Sequence, residues 1–216
     1  GALMRENPTC FMQTHVDENV DEIARAKQLY PEAKDYFGIY EDYGLLSERA
    51  LMGHCIHLEP REVGVMAETG AKPVFCPTSN LFLGSGLFDE AGLRAKGIEC
   101  GIATDIGGGT SYSMLQTLNE GYKVLQLQRQ QMHPYTAFDW ITRGNAEVLG
   151  LRDDIGTLEA GSAADMVVLN AGATPEMRLR KERVESLAEE LFLLMIMGDD
   201  RAVAQTYVAG VAQKEA

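Results

Sequence analysis

Short apolar segments alternate with longer amphipathic ones through the first 150 residues of the chain. The apolar segments predict β-strands at residues 10–15, 50–56, 73–76 and 100–104. In the segments that follow them, apolar residues recur at helical spacing, which predicts helices at 19–29, 60–69, 90–96, 111–131 and 137–149. Alternation of this kind is typical of parallel strands joined by helical crossovers.

Two connecting segments show no clear period. The aromatic-rich residues 30–43 are expected to be irregular, and residues 77–86 (PTSNLFLGSG) are expected to form a loop. The four strand–helix units fit either half of an eight-stranded barrel or a small open parallel sheet. Length alone favours the open sheet, whereas the residues at the strand ends favour the barrel.

The pattern changes after Leu151. It predicts two short β segments around a glycine turn, a strand at 166–169, one helix at 184–197 and a last β segment at 205–213. We therefore divide the chain into residues 1–151, which carry the strand–helix units, and residues 152–216, which carry separate β structure with one helix.

Composition narrows the class of partner. The 216 residues carry a formal net charge of −13, which repels phosphate backbones and anionic lipid. We therefore expect no nucleic-acid and no membrane partner, while a small substrate without phosphate stays open. The four cysteines form no Cys-x-x-Cys pair, which favours buried free thiols and a reducing, cytoplasmic location.

Polar residues with metal-binding side chains occur where the predicted strands end. His15 ends the first strand, His54 lies near the end of the second, and Asp105 follows the fourth. The carboxyl ends of parallel barrel strands meet at one face, so these three side chains are expected to lie close together. One histidine at a strand end is more often a buried structural residue, but three matched positions favour a divalent ion, zinc or another such as Fe²⁺.

Glu18, three residues after His15, has two interpretations. It could shuttle a proton to a substrate bound beside the metal. Alternatively, together with Asp17, Asp21 and Glu22, it could complement the dipole of the helix that follows. The sequence leaves both interpretations open.

The remaining histidines and a glycine run are expected to have structural roles. His57 is expected to support the site from a loop, and His133 to lie in a surface loop. Gly107, Gly108 and Gly109 follow Asp105 without a lysine at the spacing of a phosphate-binding loop, so they predict a tight turn.

As an ordered set, the strand-end motifs resemble the amidohydrolase superfamily. QTHVDE, MGHCIHL, CPTSNLFLGSG and ATDIGGGTSYSML are similar to the ends of strands five to eight in its aminohydrolase branch. LYPEAKDYFGIYEDYGLL, FCPTSNLFLGSGLF, TDIGGGTSYSML and MGDDRAV resemble the guanine deaminase family in particular. The resemblance covers nearly the whole chain. It implies the C-terminal half of a metal-dependent (β/α)8 TIM-type barrel in residues 1–151 and part of a small β-sandwich in residues 152–216.

The resemblance also implies a role for each strand-end residue. His15 matches a metal ligand, and Asp105 matches a second ligand that also acts as the general base. His54 matches a catalytic histidine that holds the hydrolytic water and contacts the substrate, and Glu18 matches the glutamate that binds and protonates the purine ring. The implied reaction is hydrolytic deamination of guanine to xanthine and ammonia by a metal-activated water.

The chain departs from the family pattern in two respects. The family has a His-x-His pair that supplies further ligands, and no such pair occurs in the 216 residues. It also has an arginine that holds guanine, which Arg5 does not match. We therefore expect a C-terminal half that is inactive alone, and a homodimer for the intact enzyme. The alternatives are another deaminase or chlorohydrolase of the superfamily, or a non-catalytic half-barrel that acts as an assembly partner.

Overall fold

The chain forms a four-stranded parallel sheet covered by helices, and a smaller antiparallel sheet of three strands. The computed structural model describes residues 1–214. The strands are β1 Met12–Val16, β2 Ala50–His54, β3 Lys72–Phe75, β4 Gly101–Ile102, β5 Met166–Leu169, β6 Val203–Val208 and β7 Val211–Ala212. The α-helices are α1 Ala2–Glu6, α2 Val20–Leu29, α3 Tyr36–Asp42, α4 Pro60–Thr69, α5 Pro77–Leu83, α6 Glu90–Arg94, α7 Met114–Leu127, α8 Pro134–Asp139, α9 Asn145–Val148, α10 Pro175–Lys181 and α11 Leu187–Met197. A π-helical turn, Trp140–Gly144, joins α8 to α9, and a 3₁₀ turn, Asp200–Ala202, precedes β6.

All four predicted strands occur, and they pair in chain order as β1-β2-β3-β4 with every pair parallel. In the register of the first pair, His15 lies opposite Gly53 and Val16 lies opposite His54. Because the strands are parallel and in chain order, their carboxyl ends lie along one edge of the sheet. This edge carries the residues that the sequence analysis selected.

The main core lies between the sheet and its helices. Phe75 of β3 stacks on Phe88 with ring centroids 4.7 Å apart. The ring of Trp140 belongs to the same core, with its centroid 6.0 Å from that of Phe75. Met52 of β2 and Leu118 of α7 are fully buried in it. Burial of these large apolar side chains fixes the sheet and therefore the positions of the strand ends.

Two segments expected to be irregular contain helices instead. Residues 30–43 include α3, whose N-cap Asp35 accepts a hydrogen bond from the backbone of Gly38. Residues 77–86 include α5, which begins at Pro77 and ends at Gly84 with a φ of 70°. Both helices have seven residues, too few to show a helical period, although proline at the first position and glycine after the last are recognised helix signals.

The part after Leu151 differs from the prediction in one helix and in the segment before β5. β5, β6 and β7 form an antiparallel sheet, with the predicted turn at Gly210 between β6 and β7. The segment before β5 forms only an isolated bridge between Ala160 and Ser162. One helix was predicted and two are present. The sequence pattern missed α10 because this short helix is mostly charged and has no apolar stripe. The boundary at Leu151 stays a prediction.

The cysteine prediction is correct for three of the four thiols. Cys55, Cys76 and Cys100 are buried and free, whereas Cys10 is exposed because β1 begins at Met12 rather than at Cys10. Among the described residues, no helix combines the length and the apolar character needed to cross a bilayer.

Candidate metal centre and acid–base site

The structure brings the three strand-end residues of the predicted site together. His15 lies in β1, His54 is the last residue of β2, and Asp105 lies three residues beyond β4. One donor atom from each of the three side chains lies within 4.8 Å of the other two. The two imidazole rings meet edge to face, with their centroids 4.9 Å apart. The prediction that these side chains converge is confirmed.

Strained backbone positions hold two of these side chains. His54 and Asp105 adopt φ angles of 72° and 50°, in the left-handed region that costs non-glycine residues about 1–3 kcal/mol. After Asp105 the chain turns back so tightly that a Cβ at Gly109 would collide with the carbonyl oxygen of Thr104. The glycine run is therefore the predicted tight turn. Strain of this kind persists only where surrounding structure enforces it, and it is concentrated at functional sites.

His54 is enclosed on every side of its ring. It is 1% exposed, and its Nδ1 lies 2.9 Å from the side-chain amide nitrogen of Asn80. Its Nε2 lies 3.6 Å from Oε2 of Glu18 and 3.9 Å from Oδ2 of Asp105. Burial lowers the pKa of His54, and this outweighs the opposite effect of the two carboxylates. The ring is therefore neutral at physiological pH, with one nitrogen donating and the other accepting.

Glu18 faces the site and does not cap the helix that follows it. The capping box of α2 consists of Asn19 and Glu22, which hydrogen-bond to each other's backbone. The Glu18 carboxyl group accepts a hydrogen bond from the hydroxyl of Ser85 at 2.9 Å and directs its other oxygen towards His54. Of the two interpretations left open by the sequence, this geometry favours the proton carrier.

Asp17 does not complement the helix dipole either. It is 1% exposed, and burial together with the neighbouring Glu62 raises its pKa to about 8. A carboxyl group that is neutral at pH 7 contributes no charge to the helix end. The backbone carbonyl of Asp17 instead accepts hydrogen bonds from the N–H groups of Ile56 and His57, which tie the end of β1 to the loop after β2.

His15 is the most exposed member of the cluster. Its backbone carbonyl accepts a hydrogen bond from the hydroxyl of Tyr40 at 3.2 Å. A Cβ at Gly53, its partner in the sheet, would lie 3.4 Å from the His15 ring, so the ring lies directly beside the backbone of β2. The aromatic segment that contains Tyr40 therefore holds the end of β1 through this hydrogen bond.

The cluster has the donors and the space for a divalent ion. Imidazole and carboxylate are the side chains that zinc and similar ions prefer, and ligands at bond lengths of about 2.0–2.2 Å lie only a few ångströms apart. A donor atom of His15 lies within 4.8 Å of one of Asp105, and both residues line a cleft of about 430 Å³. The residues present thus fit the group that the sequence analysis predicted. Of the described residues, no other set of three His, Cys, Asp or Glu side chains converges in this way.

The two remaining histidines lie outside the cluster. His57 donates from Nε2 to the backbone carbonyl of Ser85 at 2.8 Å, which is the supporting role predicted for it. His133 is exposed and caps α8 by accepting from the backbone of Tyr135. Sequence reasoning gave no role to Asn80 or Ser85, which contact the site directly. The helix signals at Pro77 and Gly84 could have placed Asn80 on a helix beside the strand ends.

Comparison with known proteins gives one family. The amidohydrolase family matches residues 9–212. Guanine deaminase of Escherichia coli (strain K12) is 47% identical over 208 residues, which cover 96% of this chain and 47% of that relative. Guanine deaminase of Homo sapiens is 31% identical over 208 residues, which cover 92% of this chain and 46% of that relative. The chain spans about half the length of the curated relatives it matches.

Solved structures agree in fold. E. coli guanine deaminase superimposes with a TM-score of 0.97 at 46% identity, covering 100% of this chain and 50% of that chain. A guanine deaminase from C. acetobutylicum with bound guanine in the active site gives a TM-score of 0.86 at 28% identity, covering 98% and 50%. These neighbours are TIM-barrel enzymes, so the four parallel strands correspond to half of a (β/α)8 barrel rather than to a small open sheet.

Proposed function

Because the chain belongs to the amidohydrolase family, we propose that it forms the acid–base side of a guanine deaminase active site. The observation that carries the proposal is the convergence of His15, Glu18, His54 and Asp105 at adjacent strand ends. The 47% identity to E. coli guanine deaminase supports guanine as the substrate. The homodimer and the cytoplasmic location stay predictions.

His15 and Asp105 are the residues that would hold the metal. A neutral imidazole and a carboxylate suit zinc, and Fe²⁺ is also compatible. A divalent ion held there supplies a Lewis acid that makes water nucleophilic near neutral pH. The remaining steps are carried by the side chains of this chain.

Asp105 and His54 would handle the water. The Asp105 carboxylate accepts a proton from the water as its oxygen adds to the ring carbon that carries the exocyclic amine of guanine. His54 lies beside that carboxylate, with Nε2 3.9 Å from Oδ2, and is buried on its other faces. It can therefore hold the water by a hydrogen bond without itself becoming charged.

Glu18 would transfer a proton to the purine ring. It lies on the opposite side of His54 from the Asn80 contact, with its carboxyl group tethered to Ser85. In its acid form it donates a proton to a ring nitrogen as the water oxygen adds. Asp105 then passes its proton to the amine, which leaves as ammonia, and Glu18 takes back a proton from the added hydroxyl as the carbonyl forms. One water is consumed, and xanthine and ammonia are the products.

The substrate assignment predicts a clear preference. The full-length product of the encoding gene, supplied with zinc, should release ammonia from guanine much faster than from adenine or cytosine at equal concentration. Coupled measurement of ammonia and of xanthine absorbance checks this. A preference for adenine or cytosine would refute guanine as the substrate. Absence of ammonia from all three bases would instead support the non-catalytic half-barrel.

A further inference from the structure

Two side chains that follow β3 contact the two groups proposed to handle protons. The amide nitrogen of Asn80, on α5, lies 2.9 Å from Nδ1 of His54, and both side chains are 1% exposed. The hydroxyl of Ser85, just beyond α5, donates to Oε1 of Glu18 at 2.9 Å. Neither contact is part of a helix cap or a strand pairing.

The surroundings of the His54 ring decide which nitrogen carries hydrogen. A neutral imidazole has one N–H and one lone pair. Two carboxylate oxygens face Nε2, from Glu18 at 3.6 Å and Asp105 at 3.9 Å. An amide nitrogen can only donate a hydrogen bond, so the contact with Asn80 requires the lone pair on Nδ1 and places the N–H on Nε2, facing these oxygens. Nδ1 is then the acceptor, and the amide nitrogen of Asn80 is the donor that faces it.

We propose that Asn80 and Ser85 are positioning residues for the proton transfers. Asn80 holds His54 in the tautomer with hydrogen on Nε2, and Ser85 fixes the carboxyl group of Glu18 against that nitrogen. The consequence for turnover rests on the proposed function. The tautomer and the two hydrogen bonds are properties of the folded protein alone.

One consequence concerns the metal. A nitrogen that carries hydrogen has no lone pair in the ring plane to donate, so Nε2 of His54 is a hydrogen-bond donor and not a ligand. The predicted ligands within the cluster are then His15 and Asp105. Among the described residues of the cluster, only His54 accepts a hydrogen bond from another side chain at the ring nitrogen that faces away from the site, Nδ1.

The two positioning residues are held together as one unit. The backbone N–H of Ser85 donates to the backbone carbonyl of Asn80 at 2.9 Å, and His57 donates to the carbonyl of Ser85 at 2.8 Å. At Gly86 the chain has a φ of 141°, and a Cβ there would lie 2.6 Å from Ile56. The loop therefore passes closely against the segment after β2, which limits the movement of Ser85 and of Glu18 with it.

Neutron crystallography of the full-length gene product tests the tautomer without any assay of activity. We expect deuterium on Nε2 of His54, none on Nδ1, and the deuterated amide group of Asn80 directed at Nδ1. The deuterium of Ser85 Oγ should point at Glu18. Deuterium on Nδ1 of His54 would overturn the role of Asn80, and a Ser85 hydroxyl directed elsewhere would overturn the role of Ser85. Neither result depends on whether guanine is the substrate.

Variants test the effect on turnover. Asn80→Asp places a carboxylate at Nδ1, which requires hydrogen there and removes it from Nε2. We expect kcat for guanine to fall about 100-fold with KM little changed, because the His54 ring keeps its place and loses only the N–H that holds the water. Ser85→Ala should also lower kcat, by up to about 100-fold, because Glu18 loses its tether.

Each variant has a matched control. Asn119 on α7 is a similar amide with an unpaired Oδ1, and it donates to the carbonyl of Ile196 on α11 instead of to a histidine. Ser162, in the segment before β5, has a hydroxyl that shares a hydrogen bond with the hydroxyl of Thr157. Asn119→Asp and Ser162→Ala should leave kcat unchanged. If Asn80→Asp or Ser85→Ala lowers kcat no more than its control does, the corresponding positioning role is wrong.

Discussion

Replacing Asp105 with asparagine should lower kcat of the full-length gene product by about 10⁴-fold and remove most of its bound divalent metal. The amide is a weaker ligand than a carboxylate and cannot accept the proton of the water. It therefore removes two proposed roles at once. Metal analysis of the purified variant, together with ammonia release from guanine, checks both parts of the expectation.

The control for this variant is Asp153→Asn. Asp153 is exposed and lies in the chain after α9, so the same change of charge should leave metal content and kcat unaltered. Asp105 occupies a strained backbone position, which asparagine adopts readily, and the fold should therefore survive the substitution. Full metal content in Asp105→Asn would contradict the ligand role, and turnover close to the unaltered enzyme would contradict both roles.

Replacing Glu18 with glutamine should lower kcat by about 10²–10⁴-fold while the metal content stays unchanged. The amide oxygen of glutamine can still accept the hydrogen bond from Ser85, so the side chain keeps its place. It has no acidic proton to deliver to the purine ring. The expected loss is therefore one of proton transfer, not of structure.

Glu68→Gln on the exposed face of α4 is the matched control and should behave as the unaltered enzyme. Loss of metal in Glu18→Gln would make Glu18 a ligand and refute its role as proton carrier. Together the two site variants separate the proposed functions, because Asp105→Asn is expected to lose metal and turnover, and Glu18→Gln turnover alone.

The sequence predicted the parallel sheet because its strands carry local signals. Buried strands such as β2 are short apolar runs, and α4 was predicted at its observed limits because Pro60 begins it and Gly70 follows it. Helices α3 and α5 were missed because seven residues show no period. Helix α10 was missed because it has a single buried residue, Met177.

The candidate site was predicted in its strand-end residues and missed in its supporting residues. His15, His54 and Asp105 are placed by the rule that parallel strand ends converge. Asn80 and Ser85 act across 26 and 67 residues of sequence, on His54 and Glu18 respectively. Local helix signals could have placed Asn80 beside the strand ends, but no local pattern shows which side chain Asn80 or Ser85 contacts.

The central claim is that the strand ends of this sheet hold the metal of a hydrolytic site. Anomalous diffraction from crystals of the full-length gene product, recorded at the absorption edge of the bound metal, tests it most directly. We predict one peak at about 2.0–2.2 Å from an imidazole nitrogen of His15 and a carboxylate oxygen of Asp105, with Glu18 outside bonding distance. A peak elsewhere in the protein, or one bonded to Glu18 in place of Asp105, would contradict the account.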